Sequence, residues 1–164
     1  MERKLKDLFK EPDVKGYNQN FFNNLENKSN SSTDSTYVQT TSGLKYVVVK
    51  EGAGVSPKEN NKVTLHYTEL LPDGTVCQSS MKREKTMMLP DGSYEEEPLI
   101  SSEPITYPVK SVIEGWKEGL QLMKEGGIYV LYVPSELAYG NDGVRGIVPP
   151  NSPLIYKIYL IKVE

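Results

Sequence analysis

The stretch Ser111-Val112-Ile113-Glu114-Gly115-Trp116 decides the fold of this chain, together with the residues that follow it as far as Pro150. Ser111 and Glu114 are spaced as in a capping box, which predicts a helix that starts at Ser111. Gly126-Gly127 predicts the end of that helix. Its apolar positions recur at helical spacing: Val112, Trp116, Leu120 and Met123. The helix therefore presents an apolar side that carries the only Trp of the chain.

A strand and a long loop follow the predicted helix. The run from Ile128 to Val133 is β-branched and aromatic, which indicates a strand that ends at Pro134. Residues 135–153 then form a loop rich in Gly and Pro, and a loop of that length in a compact domain is usually functional or disordered. The apolar side chains set in this loop are Tyr139, Ile147 and Val148. Such side chains in a Gly/Pro frame favour a binding loop.

Length, charge and cysteine content narrow the class of protein. The 164 residues suffice for one domain and at most a tail, and 37% hydrophobic residues suffice for a core. A net charge of −3 gives no reason to expect a nucleic acid or an anionic membrane as partner. One Cys excludes an internal disulfide. No apolar run is long enough to span a bilayer.

The first 38 residues are polar and rich in Asn and Lys, and residues 39–164 form the predicted domain. We expect residues 1–38 to be a solvated tail, partly helical at most, with a remnant of a helical dimerisation arm as the alternative. Met1 to Asp7 is not followed by the apolar core of a signal peptide. The protein is therefore expected to be cytoplasmic, or exported with its signal outside this sequence.

Several further stretches of the domain predict β-strands. Leu44 to Val49 reads as one strand, and Val63 to Thr68 alternates with Val63, Leu65 and Tyr67 on one face. Leu71 to Gly74 forms a turn, and Thr75 to Gln78 starts the partner strand. The last strand, from Leu154 to Val163, has one apolar face: Leu154, Tyr156, Ile158 and Leu160. Mostly antiparallel strands with one short helix give an α+β layout in which the helix covers one face of the sheet.

Residues 81–103 form an irregular extra loop of mixed charge. Within it, Met87 to Leu89 leads to a turn at Pro90-Asp91-Gly92, and Tyr94 to Glu97 follows. This pattern is compatible with a small extra hairpin.

Motifs for metal, phosphate or nucleophilic chemistry are absent from the sequence. There is no Cys/His cluster for zinc and no Gly-rich phosphate loop, so neither a metal nor a cofactor is expected. His66 is the only His and is interpreted as a structural or surface residue. Cys77 is interpreted as a small apolar residue of the interior. Glu95 to Glu97 is interpreted as a solvated acidic run.

The chain from about Thr41 to Glu164 resembles the FKBP-type peptidyl-prolyl isomerases, the family that binds tacrolimus and rapamycin. The matching pieces are His66-Tyr67-Thr68, Asp73-Gly74-Thr75, Ser79-Ser80, Val112-Ile113, Gly115-Trp116, Gly119, Ala138-Tyr139-Gly140 and Gly146 to Asn151. Order and spacing agree over nearly the whole domain. The segment from Phe21-Phe22 to Tyr46 is similar to the junction between arm and domain in the bacterial, Mip-like branch.

This resemblance implies a five-stranded antiparallel sheet wrapped around one short helix, with a ligand pocket between them. Trp116 would form the floor of the pocket. The backbone N–H of Ile113 and the hydroxyl of Tyr139 would donate hydrogen bonds to the ligand, and an N–H at the start of a helix lacks an intrahelical partner. The walls implied by the resemblance are Tyr67, Ile105, Val112, Ile113, Ile147 and Tyr156.

The resemblance also implies the activity and its ligands. The chain would be a peptidyl-prolyl cis-trans isomerase that assists protein folding, acting on proline-containing polypeptides and binding tacrolimus or rapamycin. Peptide-bond rotation faces a barrier of roughly 18–20 kcal/mol because of amide resonance. A dry apolar pocket favours the twisted, less polar transition state over the planar amide, and this requires no nucleophile, metal or cofactor.

Two departures from the family pattern concern the pocket. Where the family usually has Phe-Asp-Ser-Ser, this chain has Cys77-Gln78-Ser79-Ser80. A small Cys for Phe, and Ile105 for another frequent Phe, predict a wider pocket. Neutral Gln78 replaces the acidic partner of the pocket residue Tyr67, which predicts weakened catalysis. The alternative to an enzyme is a non-catalytic FKBP-like module that binds proline-containing or unfolded chains.

Overall fold

The computed structural model describes residues 37–80, 87–88, 94–95 and 103–164. The predicted tail lies outside these residues except for its last two positions, and so does most of the extra loop at 81–103. The domain boundary at residue 39 therefore stays a prediction. Among the described residues, none of the helical segments has the length and apolarity needed to cross a bilayer.

The sheet is antiparallel at every pairing of its strands. Its members are β1 (Val38–Gln39), β2 (Lys45–Lys50), β3 (Lys62–Leu70), β4 (Val76–Ser79), β7 (Ile105–Pro108), β8 (Ile128–Val133) and β9 (Leu154–Val163). The spatial order is β1-β2-β8-β9-β3-β4, and β7 also pairs with β3. The strands predicted at 128–133 and 154–163 have the predicted bounds.

One edge position of the sheet is shared by two strands. β7 pairs with the first part of β3, at Lys62 to Leu65, and β4 pairs with the last part, at Thr68 to Leu70. Counting β4 and β7 as one position gives five positions, to which the short β1 adds a two-residue pairing with β2. The predicted α+β fold with an antiparallel sheet is confirmed, although β7 itself was not predicted from its sequence.

A separate two-stranded sheet lies within the extra loop. β5 (Met87–Met88) pairs antiparallel with β6 (Tyr94–Glu95), in the register Met87 to Glu95 and Met88 to Tyr94. This pairing agrees with the small extra hairpin predicted here, and its predicted turn at Pro90-Asp91-Gly92 lies outside the described residues.

The helix begins later and ends earlier than its sequence signals predict. Ser111 ends a short 3-10 turn, and Val112 is extended. The α-helix, α1, runs from Glu114 to Leu122, and its N-cap is Ile113, without a side-chain capping bond. The predicted capping box of Ser111 and Glu114 is therefore wrong, as are the placement of Val112 on the helix and the end at Gly126-Gly127. Tertiary packing overrides the local capping preference here.

Close packing of α1 against the sheet accounts for its position. A Cβ atom at Gly119 would lie 2.5 Å from Leu131 Cδ1, and one at Gly115 would lie 2.3 Å from Val133 Cγ1. Only Gly allows the helix to approach β8 so closely. The main core forms between α1 and the concave face of the sheet, and it includes the apolar faces predicted for β3 and β9.

Candidate functional site

A cavity of about 240 Å³ lies between α1, the sheet and the loop after β8. It is lined by Tyr67, Glu69, Gln78, Tyr107, Ser111, Val112, Ile113, Trp116, Tyr139 and Tyr156. Most of this lining is aromatic or aliphatic, with a single carboxylate. Such a concave site, lined by aromatic and aliphatic side chains with several polar groups, is typical of small-ligand binding.

The structure brings together most of the site residues predicted from the sequence, although their roles remain predictions. Those that line the cavity are Tyr67, Gln78, Val112, Ile113, Trp116, Tyr139 and Tyr156. Three others lie outside the lining. Cys77 and Ile105 are partly buried against the main core, and Ile147 is 41% exposed in the loop. Since Cys77 does not line the cavity, the wider pocket expected from this departure has no support in the geometry.

Trp116 is the centre of an aromatic cluster in the cavity. Its indole is 5% exposed and meets Tyr67 edge to face, with ring centroids 5.0 Å apart. It meets Tyr156 in the same way at 5.2 Å and Tyr107 at 6.0 Å. Edge-to-face pairs are favourable because the positive edge of one ring faces the negative face of another. These contacts hold the indole in one orientation.

The hydroxyl of Tyr67 donates a hydrogen bond to Gln78 Oε1, at 3.1 Å. Tyr67 is on β3 and Gln78 on the edge strand β4, so the pair spans the shared edge of the sheet. Burial, with a smaller contribution from Tyr107, raises the pKa of Tyr67 above its ordinary range. The hydroxyl therefore keeps its proton and remains a donor at neutral pH.

Ile113 and Tyr139 lie in segments that backbone hydrogen bonds hold in place. The Ile113 carbonyl accepts hydrogen bonds from the Trp116 and Lys117 N–H groups, both at 3.0 Å. The Tyr139 carbonyl accepts from the Gly143 N–H at 3.1 Å, within the predicted loop. That loop is further closed by a bridge between Val144 and Val148. Long loops of this kind are ordered by their own internal contacts.

Glu69, Tyr107 and Ser111 line the cavity but were not among the predicted site residues. Glu69 is 1% exposed. Its backbone pairs with Tyr156 on β9 and with Gln78 on β4. The signal was present in the sequence, because strict alternation places Glu69 on the same face as Val63, Leu65 and Tyr67. A charged residue in register with an apolar face is unusual.

Comparisons with known proteins agree with this architecture. The family model described as FKBP-type peptidyl-prolyl cis-trans isomerase matches residues 54–161. The chain is 43% identical over 122 residues to "Peptidyl-prolyl cis-trans isomerase Mip" of Coxiella burnetii, covering 74% of this chain and 45% of that protein. It is 40% identical over 123 residues to "Outer membrane protein MIP" of Legionella longbeachae, covering 75% and 45%. The chain thus spans less than half the length of these two relatives.

One relative matches the chain over almost its whole length. This is the FKBP-type isomerase FkpA of Buchnera aphidicola, 35% identical over 163 residues, covering 99% of this chain and 60% of that protein. The match extends into the first 36 residues, which lie outside the structural description.

Solved structures share the fold. The crystal structure of FkpA from Escherichia coli has a TM-score of 0.64 and 33% identity, and covers 85% of this chain and 56% of that one. A peptidyl-prolyl cis-trans isomerase of Pseudomonas syringae has a TM-score of 0.64 and 25% identity, and covers 87% and 92%. By sequence match, fold and cavity, the chain belongs to the FKBP-type peptidyl-prolyl cis-trans isomerase family.

Proposed function

We propose that this protein catalyses cis-trans isomerisation of X-Pro peptide bonds and so assists protein folding. The observation that carries the proposal is the cavity of about 240 Å³ whose lining is mainly aromatic, in a chain that belongs to this family. Its relatives bear the name of the activity, but the chain spans only 45% of the Coxiella protein, so the activity itself is inferred.

Five of the predicted residues that line the cavity have physically reasonable roles in this proposal. Trp116 offers the prolyl ring a flat apolar surface held by its aromatic neighbours. Tyr67 and Tyr156 flank that surface as walls. The backbone N–H of the N-cap residue Ile113 has no intrahelical partner and is available to a ligand carbonyl. The Tyr139 hydroxyl is the second donor.

The rate enhancement follows from differential binding of the twisted amide. The transition state has lost amide resonance, so its carbonyl is less polar than that of the planar amide. An apolar cavity therefore stabilises the transition state relative to the ground state, and only such differential stabilisation increases the rate of the chemical step. Each ~1.4 kcal/mol contributes about tenfold.

One observation favours the second candidate, a module that binds proline-containing chains without useful turnover. The partner of Tyr67 in the cavity is the neutral Gln78, at 3.1 Å. A neutral acceptor orients the hydroxyl less strongly than a carboxylate, because hydrogen bonds to charged groups are the stronger ones. Weak catalysis with intact binding is the expected result if this difference dominates.

The proposed clients are proline-containing polypeptides, and tacrolimus and rapamycin are the proposed macrolide ligands. For the compartment, the name of the Legionella longbeachae relative places that protein in the outer membrane. We therefore propose export of this protein, the alternative given by the sequence. The cytoplasmic expectation finds no support among these relatives.

Protease-free NMR exchange on a Leu-Pro tetrapeptide tests the proposal. We expect exchange between the cis and trans forms to accelerate in proportion to protein concentration, and rapamycin to abolish the acceleration. A fluorescence titration of Trp116 with the same peptide separates the two candidates. Binding without acceleration would establish the binding module and reject the enzyme.

A further inference from the structure

The cavity contains one buried carboxylate with an unsatisfied oxygen. Glu69 is 1% exposed, and its Oε1 atom has no hydrogen-bond partner among the described residues. Burying a charged group without a partner is costly, and most buried polar atoms in proteins have partners. An exception at the wall of a cavity therefore requires an explanation.

Glu69 is not the only unsatisfied polar residue of the cavity lining. Trp116 Nε1 and the Tyr156 hydroxyl are also buried without a hydrogen-bond partner in the described part of the chain. These three residues all line the same cavity. The Tyr156 hydroxyl lies close enough to Glu69 to affect its pKa, but the geometry of a hydrogen bond is not met. One cavity thus groups an acceptor, a donor and a hydroxyl that are all unsatisfied.

Among the residues that the structure describes, the cavity lining holds no counter-charge for Glu69. Its cross-strand neighbours are Tyr156 on β9 and Gln78 on β4. The described residues that line the cavity include no Lys, Arg or His. Gln78 Oε1 is itself an acceptor and is already used by Tyr67. A carboxylate in this setting is most readily satisfied by a donor or a positive charge that a ligand brings.

We propose that Glu69 is a specificity-determining residue of the cavity, which makes it prefer X-Pro segments with a basic side chain beside the proline over neutral and acidic ones. The inference rests on the proposed function, because it concerns ligands of the same cavity. It follows from the position of an unsatisfied carboxylate oxygen in a cavity whose other described lining residues are neutral.

The size of the preference follows from electrostatics. Coulomb attraction falls only inversely with distance, and it is much stronger near a low-dielectric wall than in water. Solvent at the mouth of the cavity weakens it. We expect kcat/KM to be roughly five- to tenfold higher for the Lys-Pro peptide than for the Leu-Pro peptide. A similar factor should separate the Leu-Pro peptide from the Glu-Pro peptide.

The test compares three peptides that differ only at the residue before proline: Lys, Leu and Glu. NMR exchange at pH 8 and low salt gives kcat/KM for each peptide, and Trp fluorescence gives each Kd. In the parent protein we expect kcat/KM to decrease, and Kd to increase, in the order Lys-Pro, Leu-Pro, Glu-Pro. In Glu69→Gln, a neutral variant of nearly the same size, the preference should fall to within about twofold. Glu69→Asp retains the charge and should keep the order.

The matched control is Glu59→Gln, which removes one charge from an exposed position outside the cavity lining. It should leave kcat/KM for all three peptides unchanged. A purely structural role for Glu69 would lower all three values together without changing their ratio, and an unchanged ratio in folded Glu69→Gln would overturn the inference. If Glu69→Gln does not fold, Glu69→Leu serves as the neutral variant.

Failure of the inference and failure of the proposed function give different results. Turnover of the Leu-Pro peptide with no preference among the three peptides rejects the specificity role and leaves the isomerase intact. Absence of turnover for all three rejects the isomerase, and the order of the Kd values then decides whether Glu69 selects the ligand.

Discussion

Strand β3 carries a buried imidazole and a buried carboxyl group, and the two have opposite hydrogen-bonding environments. His66 is 4% exposed and Glu69 is 1% exposed. His66 Nδ1 lies 3.1 Å from Ser80 Oγ, and the same Oγ accepts a hydrogen bond from the Tyr67 N–H at 2.9 Å. Glu69 Oε1 has no hydrogen-bond partner among the described residues.

The two residues lie on opposite faces of the strand, because side chains alternate along it. On the face of the strand that carries His66, the buried polar groups form hydrogen bonds within the protein, which is typical of structural polar groups. The Glu69 side borders the cavity. The difference suggests a rule for this domain: buried groups with partners hold the fold, and those without a partner among the described residues border the cavity. The hydrogen-bonded pair of Tyr67 and Gln78 in the cavity lining is an exception to it. The rule predicts which substitutions affect stability and which affect function.

Trp116→Leu should have the largest effect. It removes the aromatic contacts with Tyr67, Tyr107 and Tyr156, and a full Trp→Ala truncation in a core costs about 3–5 kcal/mol. Because Leu keeps part of the volume, we expect a loss of about 2 kcal/mol in the free energy of unfolding, measured by urea denaturation. We also expect loss of more than about tenfold in peptide turnover.

Trp116→Phe is the control for this change. It keeps an aromatic ring and removes the indole N–H, which has no hydrogen-bond partner among the described residues. By the rule it should therefore affect ligand binding more than unfolding. Equal losses of stability for the Phe and Leu variants, with turnover unchanged in both, would show that Trp116 is ordinary core.

Ser80→Ala tests the face of β3 on which His66 lies, where the buried polar groups have hydrogen-bond partners. It leaves His66 Nδ1 and the Tyr67 N–H without the Ser80 hydroxyl, and an unsatisfied buried group costs about 1–3 kcal/mol. We expect that loss in the free energy of unfolding, with kcat/KM within about twofold of the parent. Thr68→Ala, on the more exposed pair with Ser79, is the matched control and should cost less. A large loss of turnover in folded Ser80→Ala would break the rule.

Glu69→Gln should change the pH dependence of stability. Burial raises the pKa of Glu69 above its ordinary value of 4.5, although the nearby Tyr156 hydroxyl acts in the opposite direction. Between the two pKa values the folded state binds more protons than the unfolded state, so stability falls as pH rises through this interval. The Gln variant should therefore melt higher than the parent at pH 8, with no advantage at pH 4.

His66 contributes a slope of the opposite sign. Burial lowers the pKa of His66 below its ordinary value of 6.5. The unfolded state then binds more protons, and stability falls as pH decreases below that value. Thermal melts of the parent and Glu69→Gln from pH 4 to pH 8 separate the two contributions. A constant difference in Tm over this range would show that Glu69 does not titrate differently in the folded state.

Gln78→Asp should have the smallest effect. It replaces the neutral acceptor of Tyr67 by a carboxylate, and a charged hydrogen bond exceeds a neutral one by about 1 kcal/mol. If the gain acts on the transition state, kcat/KM rises several-fold, measured on the Leu-Pro peptide. The structure adds a cost that the sequence did not show, because the introduced carboxylate would face Glu69 directly across the strands.

The double variant Gln78→Asp/Glu69→Gln removes that repulsion between like charges. We expect it to be faster than Gln78→Asp alone. If neither folded variant exceeds the parent, Gln78 does not limit turnover, and the interpretation of this protein as a weakened isomerase loses its support.

The elements with a strong local pattern were predictable from the sequence. β8 and β9 have the predicted bounds because continuous runs of β-branched and aromatic residues favour a strand. The antiparallel pairing of β5 with β6 agrees with the hairpin that the Pro-Asp-Gly pattern predicted. The family motifs placed Tyr67, Gln78, Trp116 and Tyr139 in one site, and all four line the cavity.

Long-range packing decided the rest. The helix begins at Glu114 rather than at Ser111, because Val112 is extended and Ile113 is the N-cap. The close fit of Gly115 and Gly119 against β8 is a constraint that no capping pattern contains. β7 is short and depends on its pairing with β3. Glu69 could be placed on the apolar face by alternation. That its Oε1 atom has no partner among the described residues, however, depends on which side chains of β4 and β9 surround it. Those neighbours are set by strand register between residues far apart in the chain.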